Sequence, residues 1–186
     1  MCSSDLNSAG AIAHPAARLD LIRPGIALYG VAPSGDLAAS LDLRPALSWQ
    51  SRVSFVKRVG PDEGVSYGHL HRTARSTVLA TIPVGYADGL PRAWGLARGE
   101  VLIGGVRRRL IGAVTMDQAL VDCGPDAEVC IGDEVVLIGR QGDDTIGVDE
   151  IATGTGTIAY EILTGIGSRV ERRHRGPASG ASGQVS

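Results

Sequence analysis

The stretch Val53-Ser54-Phe55-Val56-Lys57-Arg58-Val59 places its apolar residues mainly at odd positions, the two-residue period of a strand with one buried face and one wet face. The same reading extends outward from it. Strands are expected over Leu47–Val59, Ser76–Val84, Gly99–Arg107, Arg109–Val114, Gln118–Cys123 and Glu134–Ile138. Glycine agrees with this: 26 of the 186 residues, against a usual ~7%, lie scattered between short apolar runs, as many tight turns require. After Gly142-Asp143-Asp144 the pattern changes to Val148–Ala152 and Thr157–Thr164, expected as two short helices, the second opened by a hydroxyl residue suited to capping it. The fold class is mainly β.

Ahead of this region the first ~45 residues read as α/β. Leu19-Asp20-Leu21-Ile22 is a short apolar run ended by Arg23-Pro24-Gly25, Ile26-Ala27-Leu28-Tyr29-Gly30 follows, and Pro33-Ser34-Gly35-Asp36 makes a turn. From Arg172 onward apolar periodicity is lost, so the expected organisation is an amino-terminal segment 1–44, a β domain 45–172 and a disordered tail 173–186. A chain of 186 residues buries roughly 70% of the surface its unfolded form exposes and needs no metal or disulfide to hold it.

Composition narrows the function classes. Eighteen basic residues stand against twenty acidic ones, with no long block of either sign before the extreme carboxy terminus, so nothing points to nucleic acid or to a membrane surface. No apolar stretch reaches the ~18 residues of a membrane span and no secretory signal opens the chain, which makes the cytoplasm the expected compartment. Cys2, Cys123 and Cys130 lack C-x-x-C spacing and read as small apolar fillers. Seventeen of the eighteen basic residues are arginine; Lys57 is the single lysine.

Six peptides carry more specific information. They are N-S-A-G (7–10), I-R-P-G-I-A-L-Y-G (22–30), V-S-Y-G (65–68), P-V-G-Y-A-D-G-L-P-R (83–92), V-T-M-D-Q (114–118) and Y-E-I-L-T-x-I-x-x-R-V (160–170). In this order and spacing they resemble the carboxy-terminal part of the alanine racemase family, over roughly residues 7–172. The resemblance implies a carboxy-terminal β-barrel-like domain preceded by the last strand and helix of a TIM (β/α)8 barrel. It also implies a homodimer in which pyridoxal phosphate, held by the barrel of one subunit, faces the β domain of the other. There the cofactor acts as an electron sink for removal of the alanine α-proton, with one base on each face. The reaction supplies D-alanine for peptidoglycan.

By the same resemblance Tyr86 matches the tyrosine that serves as second-face base, reaching across from the partner subunit. A free phenol has a pKa near ~10, so this role needs neighbours that favour the ionised form. Taken alone, G-Y-A-D-G reads rather as a surface turn whose tyrosine packs on Pro83; the company of the other peptides reverses that. Arg23 matches the arginine that hydrogen-bonds the pyridine nitrogen; a guanidinium does not release its proton, which tempers the electron sink. Ser8, Gly25 and Ile26 match residues that hold the phosphate through a hydroxyl and backbone N–H groups. Met116 and Asp117 match the loop that meets the substrate carboxylate, chiefly through the methionine N–H, although a methionine before an aspartate also reads as filler at a turn. Tyr67 reads either as a second wall of the site or as a half-buried strand tyrosine. His69 and His71 alternate on one strand face without a third ligand, so no metal is expected. Asp143-Asp144 and Asp149-Glu150 read as caps and solvated charge.

Three features depart from the family. Its Schiff-base lysine belongs well before the peptide that matches at Asn7, and Lys57 lies in a strand without matching context, so the chain is expected to be a fragment that is inactive alone. Met1–Leu6 do not resemble the segment that usually precedes N-S-A-G. A tyrosine that contacts the phosphate in some members is here Ser168. Within pyridoxal phosphate chemistry the alternative is a broad-specificity racemase or a decarboxylase; outside it, a non-catalytic binding or dimerisation module.

Overall fold

The computed structural model describes residues 6–38 and 41–174. Met1–Asp5, with Cys2, and most of the expected tail, 175–186, lie outside the described residues.

The amino-terminal segment carries α1 (Ser8–Ala13), 3-10 turns at Pro15–Ala17 and Ile26–Tyr29, and the single-turn helix α2 (Gly35–Ala38). Asn7 caps α1, its side-chain oxygen accepting from Gly10 N–H at 2.9 Å. Leu19–Ile22, expected within an α/β pattern, is neither helix nor strand here. A strand forms only where its main-chain donors and acceptors meet a neighbour, and among the described residues no strand pairs with this run. Leu19 and Leu21 are accordingly exposed, as are Leu28 and Tyr29. Ile26 and Val31, by contrast, are buried in the main core of the β domain and fasten the segment to it.

The β domain begins with β1 (Trp49–Arg52) and β2 (Phe55–Val59), followed by a small hairpin of β3 (Gly64–Val65) and β4 (His71–Arg72). Then come β5 (Thr77–Ile82), α3 (Arg92–Leu96), β6 (Glu100–Ile103), β7 (Val106–Ile111) and β8 (Ala119–Gly124). The chain closes with β9 (Glu134–Gln141), β10 (Asp144–Ile146), α4 (Val148–Thr155) and α5 (Ala159–Gly165). All pairings are antiparallel, in the order β1-β9-β6-β7-β8-β5-β2, with β10 added to β9.

β1 and β2 stand at opposite ends of this order, yet only Val53 and Ser54 separate them. The sheet must therefore curl until its ends meet. The two connecting residues record the closure, since Val53 N–H donates to Asp133 O at 2.9 Å beside β9 whereas Ser54 N–H donates to Thr81 O at 2.9 Å on β5. The expected mainly β, barrel-like domain is thus present, and the expected single strand Leu47–Val59 is corrected to two. The one-face reading of Val53–Val59 is corrected as well: Phe55 is 54% exposed, although it shares a strand face with the buried Val59, because the apolar cluster that covers Val59 does not include it.

Ala80, Ile82, Val101, Ile103, Val121, Val135 and Leu137 fill the interior, while Trp94 of α3, Ile151 of α4 and Ile162 of α5 pack onto the same core. On the outer face of β5, Leu79 joins Val59, Val65 and Ile111 in a second cluster beneath the β3–β4 hairpin. The expected strand Gly99–Arg107 is interrupted by a two-residue turn. Gly104 and Gly105, at φ +63° and +75°, pair Ile103 with Val106, the left-handed geometry that glycine adopts without strain.

The two carboxy-terminal helices form as expected, with one change at the start of α5. Its amino-terminal flank is Ile158, without a side-chain cap, and the Thr157 hydroxyl donates to the Glu161 carboxylate instead. The acidic pairs are also corrected in part. Arg107 on β7 binds Asp144 (2.9 Å), Glu150 (2.7 Å) and Glu100 (3.1 Å), and its Nη2 donates to Thr145 O at 2.6 Å. Asp144 and Glu150 thereby tie β10 and α4 to the β6–β7 hairpin rather than serving only as solvated charge. No helix among the described residues is long and apolar enough to cross a membrane.

Candidate functional site

β5 delivers the chain into a tight turn that carries Tyr86. Within it, Asp88 N–H and Leu90 N–H both donate to Gly85 O, at 3.1 and 3.2 Å, and Gly85 N–H donates to Asp88 Oδ2 at 2.8 Å. Leu90 is fully buried and anchors the far side of the turn. The loop between β7 and β8 is equally compact: Thr115 N–H and its hydroxyl both donate to Gln118 O at 2.9 Å. Met116 and Asp117 project at its tip.

These two loops are joined through their main chains. Tyr86 N–H donates to Thr115 O at 2.9 Å and Ala87 N–H to Met116 O at 3.0 Å. The approach is close enough to demand glycine at position 85, where a Cβ would stand 2.2 Å from Met116 O and 2.4 Å from Thr115 O. Tyr86 and Met116 nevertheless keep their side chains open, at 44% and 54% exposure. An ordered backbone therefore presents two accessible side chains next to each other.

Sequence reading missed a third member of this cluster. Arg169, just beyond α5, donates from Nη2 to Asp117 Oδ1 at 2.7 Å and lies 3.4 Å, through Nε, from Asp88 Oδ1. The two carboxylates hold its guanidinium protonated, Asp117 contributing more than Asp88. Arg169 falls inside the peptide Y-E-I-L-T-x-I-x-x-R-V, but nothing local marks its partner 52 positions earlier.

Tyr67 is neither buried nor in a strand: it opens a 3-10 turn between β3 and β4 and is the most exposed of the large apolar side chains. With Ser66, Thr115, Gln118 and Leu120 it lines an open cavity of about 350 Å³ against the Met116 loop. His69 ends that same turn while His71 lies on β4, so the two are not neighbours on one strand face. No group of three or more potential metal ligands occurs among the described residues.

The residues expected at the cofactor form a separate cluster in the amino-terminal segment. Ser8 is almost wholly buried, and its Oγ accepts from Gly25 N–H at 2.9 Å and Ala27 N–H at 3.3 Å. Arg23 N–H donates to Leu6 O at 2.8 Å, which brings residues 22–27 back across α1. The Gly25 and Ala27 N–H groups are taken up by Ser8 Oγ, which leaves the Ser8 hydroxyl its own proton to donate; with an arginine two residues before Gly25, the place suits a phosphate ester. Lys57 stands on β2, paired in register with Leu79, among neither cluster.

Residues 46–174 match the family model described as the alanine racemase C-terminal domain. The chain is 45% identical over 174 residues to the alanine racemase of Halothermothrix orenii, covering 94% of this chain and 46% of that protein. It is 48% identical over 170 residues to the alanine racemase of Symbiobacterium thermophilum, covering 91% and 45%. Among solved structures it resembles the alanine racemase of D-cycloserine-producing Streptomyces lavendulae, with a TM-score of 0.86 and 43% identity over 92% of this chain and 45% of that one. It likewise resembles the Bacillus anthracis alanine racemase with bound L-Ala-P, with a TM-score of 0.83 and 41% identity over 89% and 42%. The chain thus spans about half the length of the curated relatives it matches.

Proposed function

The chain belongs to the alanine racemase family, and we propose that it contributes the β-domain half of a pyridoxal phosphate-dependent interconversion of L- and D-alanine. The observation that carries the reading is the main-chain pairing of the Tyr86 turn with the Thr115–Met116 loop. It sets Tyr86, the residue that matches the family's second-face base, beside the loop expected to meet the substrate carboxylate, and both side chains are accessible.

Pyridoxal phosphate, when bound, supplies the electron sink that acidifies the alanine α-hydrogen. The residues of this chain divide the remaining work. Ser8, Gly25 and Ile26 hold the phosphate through the Ser8 hydroxyl proton and main-chain N–H groups, Ser8 Oγ already lying 2.9 Å from the Gly25 nitrogen. Arg23 donates to the pyridine nitrogen and, being unable to give up its proton, leaves that nitrogen unprotonated. The Tyr86 phenolic oxygen takes or returns the α-proton on the second face, and the Met116 N–H, with Asp117 beside it, orients the substrate carboxylate.

The two clusters serve different active sites of a homodimer. Tyr86, Met116 and Asp117 act on a cofactor held in the partner, while Ser8 and Arg23 help to hold the cofactor of their own subunit. Supporting this is their organisation: the bonds that fix Tyr86 run to residues 115 and 116, and those that fix Ser8 run to residues 25 and 27. Lys57, the single lysine, has no place in either cluster, so these 186 residues alone do not racemise alanine.

The test is a chimera in which this chain replaces the matching segment of the Streptomyces lavendulae enzyme. Racemisation of alanine is expected, lost on Tyr86→Phe with cofactor absorbance retained and with α-hydrogen exchange left only for the enantiomer served by the opposite base. Racemisation that survives Tyr86→Phe, or a folded chimera that binds pyridoxal phosphate but decarboxylates instead, would overturn the reading.

A further inference from the structure

Arg169 connects the two loops of the β-domain cluster from a third direction. Its guanidinium binds Asp117 at the tip of the Met116 loop and Asp88 within the Tyr86 turn. Asp88 is itself nearly buried, and its other carboxylate oxygen accepts Gly85 N–H at 2.8 Å. Its main-chain oxygen accepts Gly167 N–H at 3.0 Å, which fixes the segment that carries Arg169 to the same turn. A path of one hydrogen-bonded ion pair, Arg169–Asp117, one longer ion pair, Arg169–Asp88, and the Gly85–Asp88 hydrogen bond therefore runs from the Met116 loop to the residue preceding Tyr86.

We infer that Arg169 is a positioning residue, which holds the Met116–Asp117 loop and the Tyr86 turn in the relative placement that alanine requires; the inference rests on the proposed racemase reading. A single planar guanidinium reaches both carboxylates at once, Nη2 donating to Asp117 and Nε standing 3.4 Å from Asp88. Removing it leaves Asp88 and Asp117 with like charge across the cluster and frees the tip of the loop. The shorter contact is to Asp117, at 2.7 Å against 3.4 Å for Asp88, so the substrate-carboxylate side loosens more than the tyrosine side. The Tyr86 turn retains its own internal hydrogen bonds.

This asymmetry gives a signature that a merely structural arginine lacks. In the chimera, Arg169→Gln is expected to raise KM for alanine about tenfold while kcat falls less than about threefold, as loss of substrate orientation without loss of the base predicts. Arg169→Lys, which keeps the charge but not the fork, is expected to fall between. In the full 186-residue chain the same Arg169→Gln change should speed amide exchange at Ala87, whose N–H is bonded to Met116 O, and leave the amides of β5 and β8 unchanged. An unshifted KM, exchange that rises equally throughout the sheet, or exchange unchanged at Ala87 would each overturn the inference. If Arg169→Gln does not fold, Arg169→Lys decides on the same two readouts. An unsubstituted chimera that binds cofactor without exchanging alanine would instead overturn the racemase reading.

Discussion

Substituting Gly85 by alanine tests the geometry on which the candidate site depends. The added methyl group would lie 2.2 Å from Met116 O and 2.4 Å from Thr115 O, both main-chain atoms that no rotamer change can move aside. The turn and the loop must separate, which breaks the Tyr86–Thr115 and Ala87–Met116 hydrogen bonds. Each is worth about 0.5–1.5 kcal/mol net, and more where a partner is left buried and unsatisfied, so a loss of about 2–3 kcal/mol follows. Opposing it, alanine restricts the unfolded chain and recovers about 0.4–1 kcal/mol. The clash wins, leaving about 1–2.5 kcal/mol of destabilisation, or a fall in Tm of about 2–10 °C for a chain of this size. Thermal unfolding by circular dichroism measures the fall, and amide exchange at Tyr86 and Ala87 should accelerate with it. A Gly85→Ala chain with unchanged or raised Tm and unaltered exchange at those two amides would refute the close approach. In the chimera the same change should depress alanine exchange more than it depresses Tm at matched temperature.

Other consequences are equally direct. Arg107→Met removes the cation that binds Glu100, Asp144 and Glu150 together and leaves Glu100 its longer contact to Arg109 at 3.8 Å; with these groups about a third exposed and therefore partly screened, a loss of about 2 kcal/mol is expected, read as a lower urea midpoint with unchanged slope. The Thr145 N–H and Arg107 hold the Asp144 carboxyl below its ordinary value. Its contribution is accordingly complete above the unfolded value near ~3.9 and disappears as pH falls through the folded one, so wild type and Asp144→Asn should differ by a constant amount at neutral pH and converge in acid. Burial pushes the Cys123 thiol up to about 11 whereas Cys130 is exposed. Peptide mapping after brief alkylation at pH 8 should find Cys130 modified and Cys123 untouched until the chain is unfolded.

What could be read from the residues follows a physical division between local and long-range information. Strand alternation is local, and it located most of the sheet. It could not reveal that β1 and β2 close a barrel from opposite ends, because a two-residue period states that a strand has two faces and not which neighbours cover them; Phe55 is exposed for that reason. α3 escaped notice because five residues between Pro91 and Ala97, with a glycine inside, present no helical period, and its one buried aromatic, Trp94, carries the packing. The motif residues Tyr86 and Met116 were legible only because their short peptides recur in order with four others; locally they read as a surface turn and as filler. Arg169, whose partners lie 52 and 81 residues away, and Arg107, whose acidic partners lie up to 43 residues away, gave no local signal. Only the curled sheet brings those pairs together.

On the proposed role of Tyr86 in proton transfer, the arrangement also gives a reason for its place at the edge of a domain that does not itself surround it. Its backbone is fixed on both sides, by the pairing to Thr115 and Met116 and by the turn closed on Gly85, while its ring is left 44% exposed. Ordering the main chain and not the ring costs little, since a tyrosine has two side-chain torsions to restrict. The remaining restriction must come from whatever surface approaches it. Ile26 and Val31 root the Ser8–Gly25 cluster in the same core that carries β5 and β8. One rigid body therefore carries both clusters, and a dimer that sets Tyr86 against its partner's cofactor fixes the reciprocal pair by symmetry. In the proposed dimer of the chimera, a core substitution that lets the segment around Ile26 shift against β5 should accordingly weaken both sites together, whereas a mixed dimer of one Tyr86→Phe chimera and one unsubstituted chimera should leave one site working.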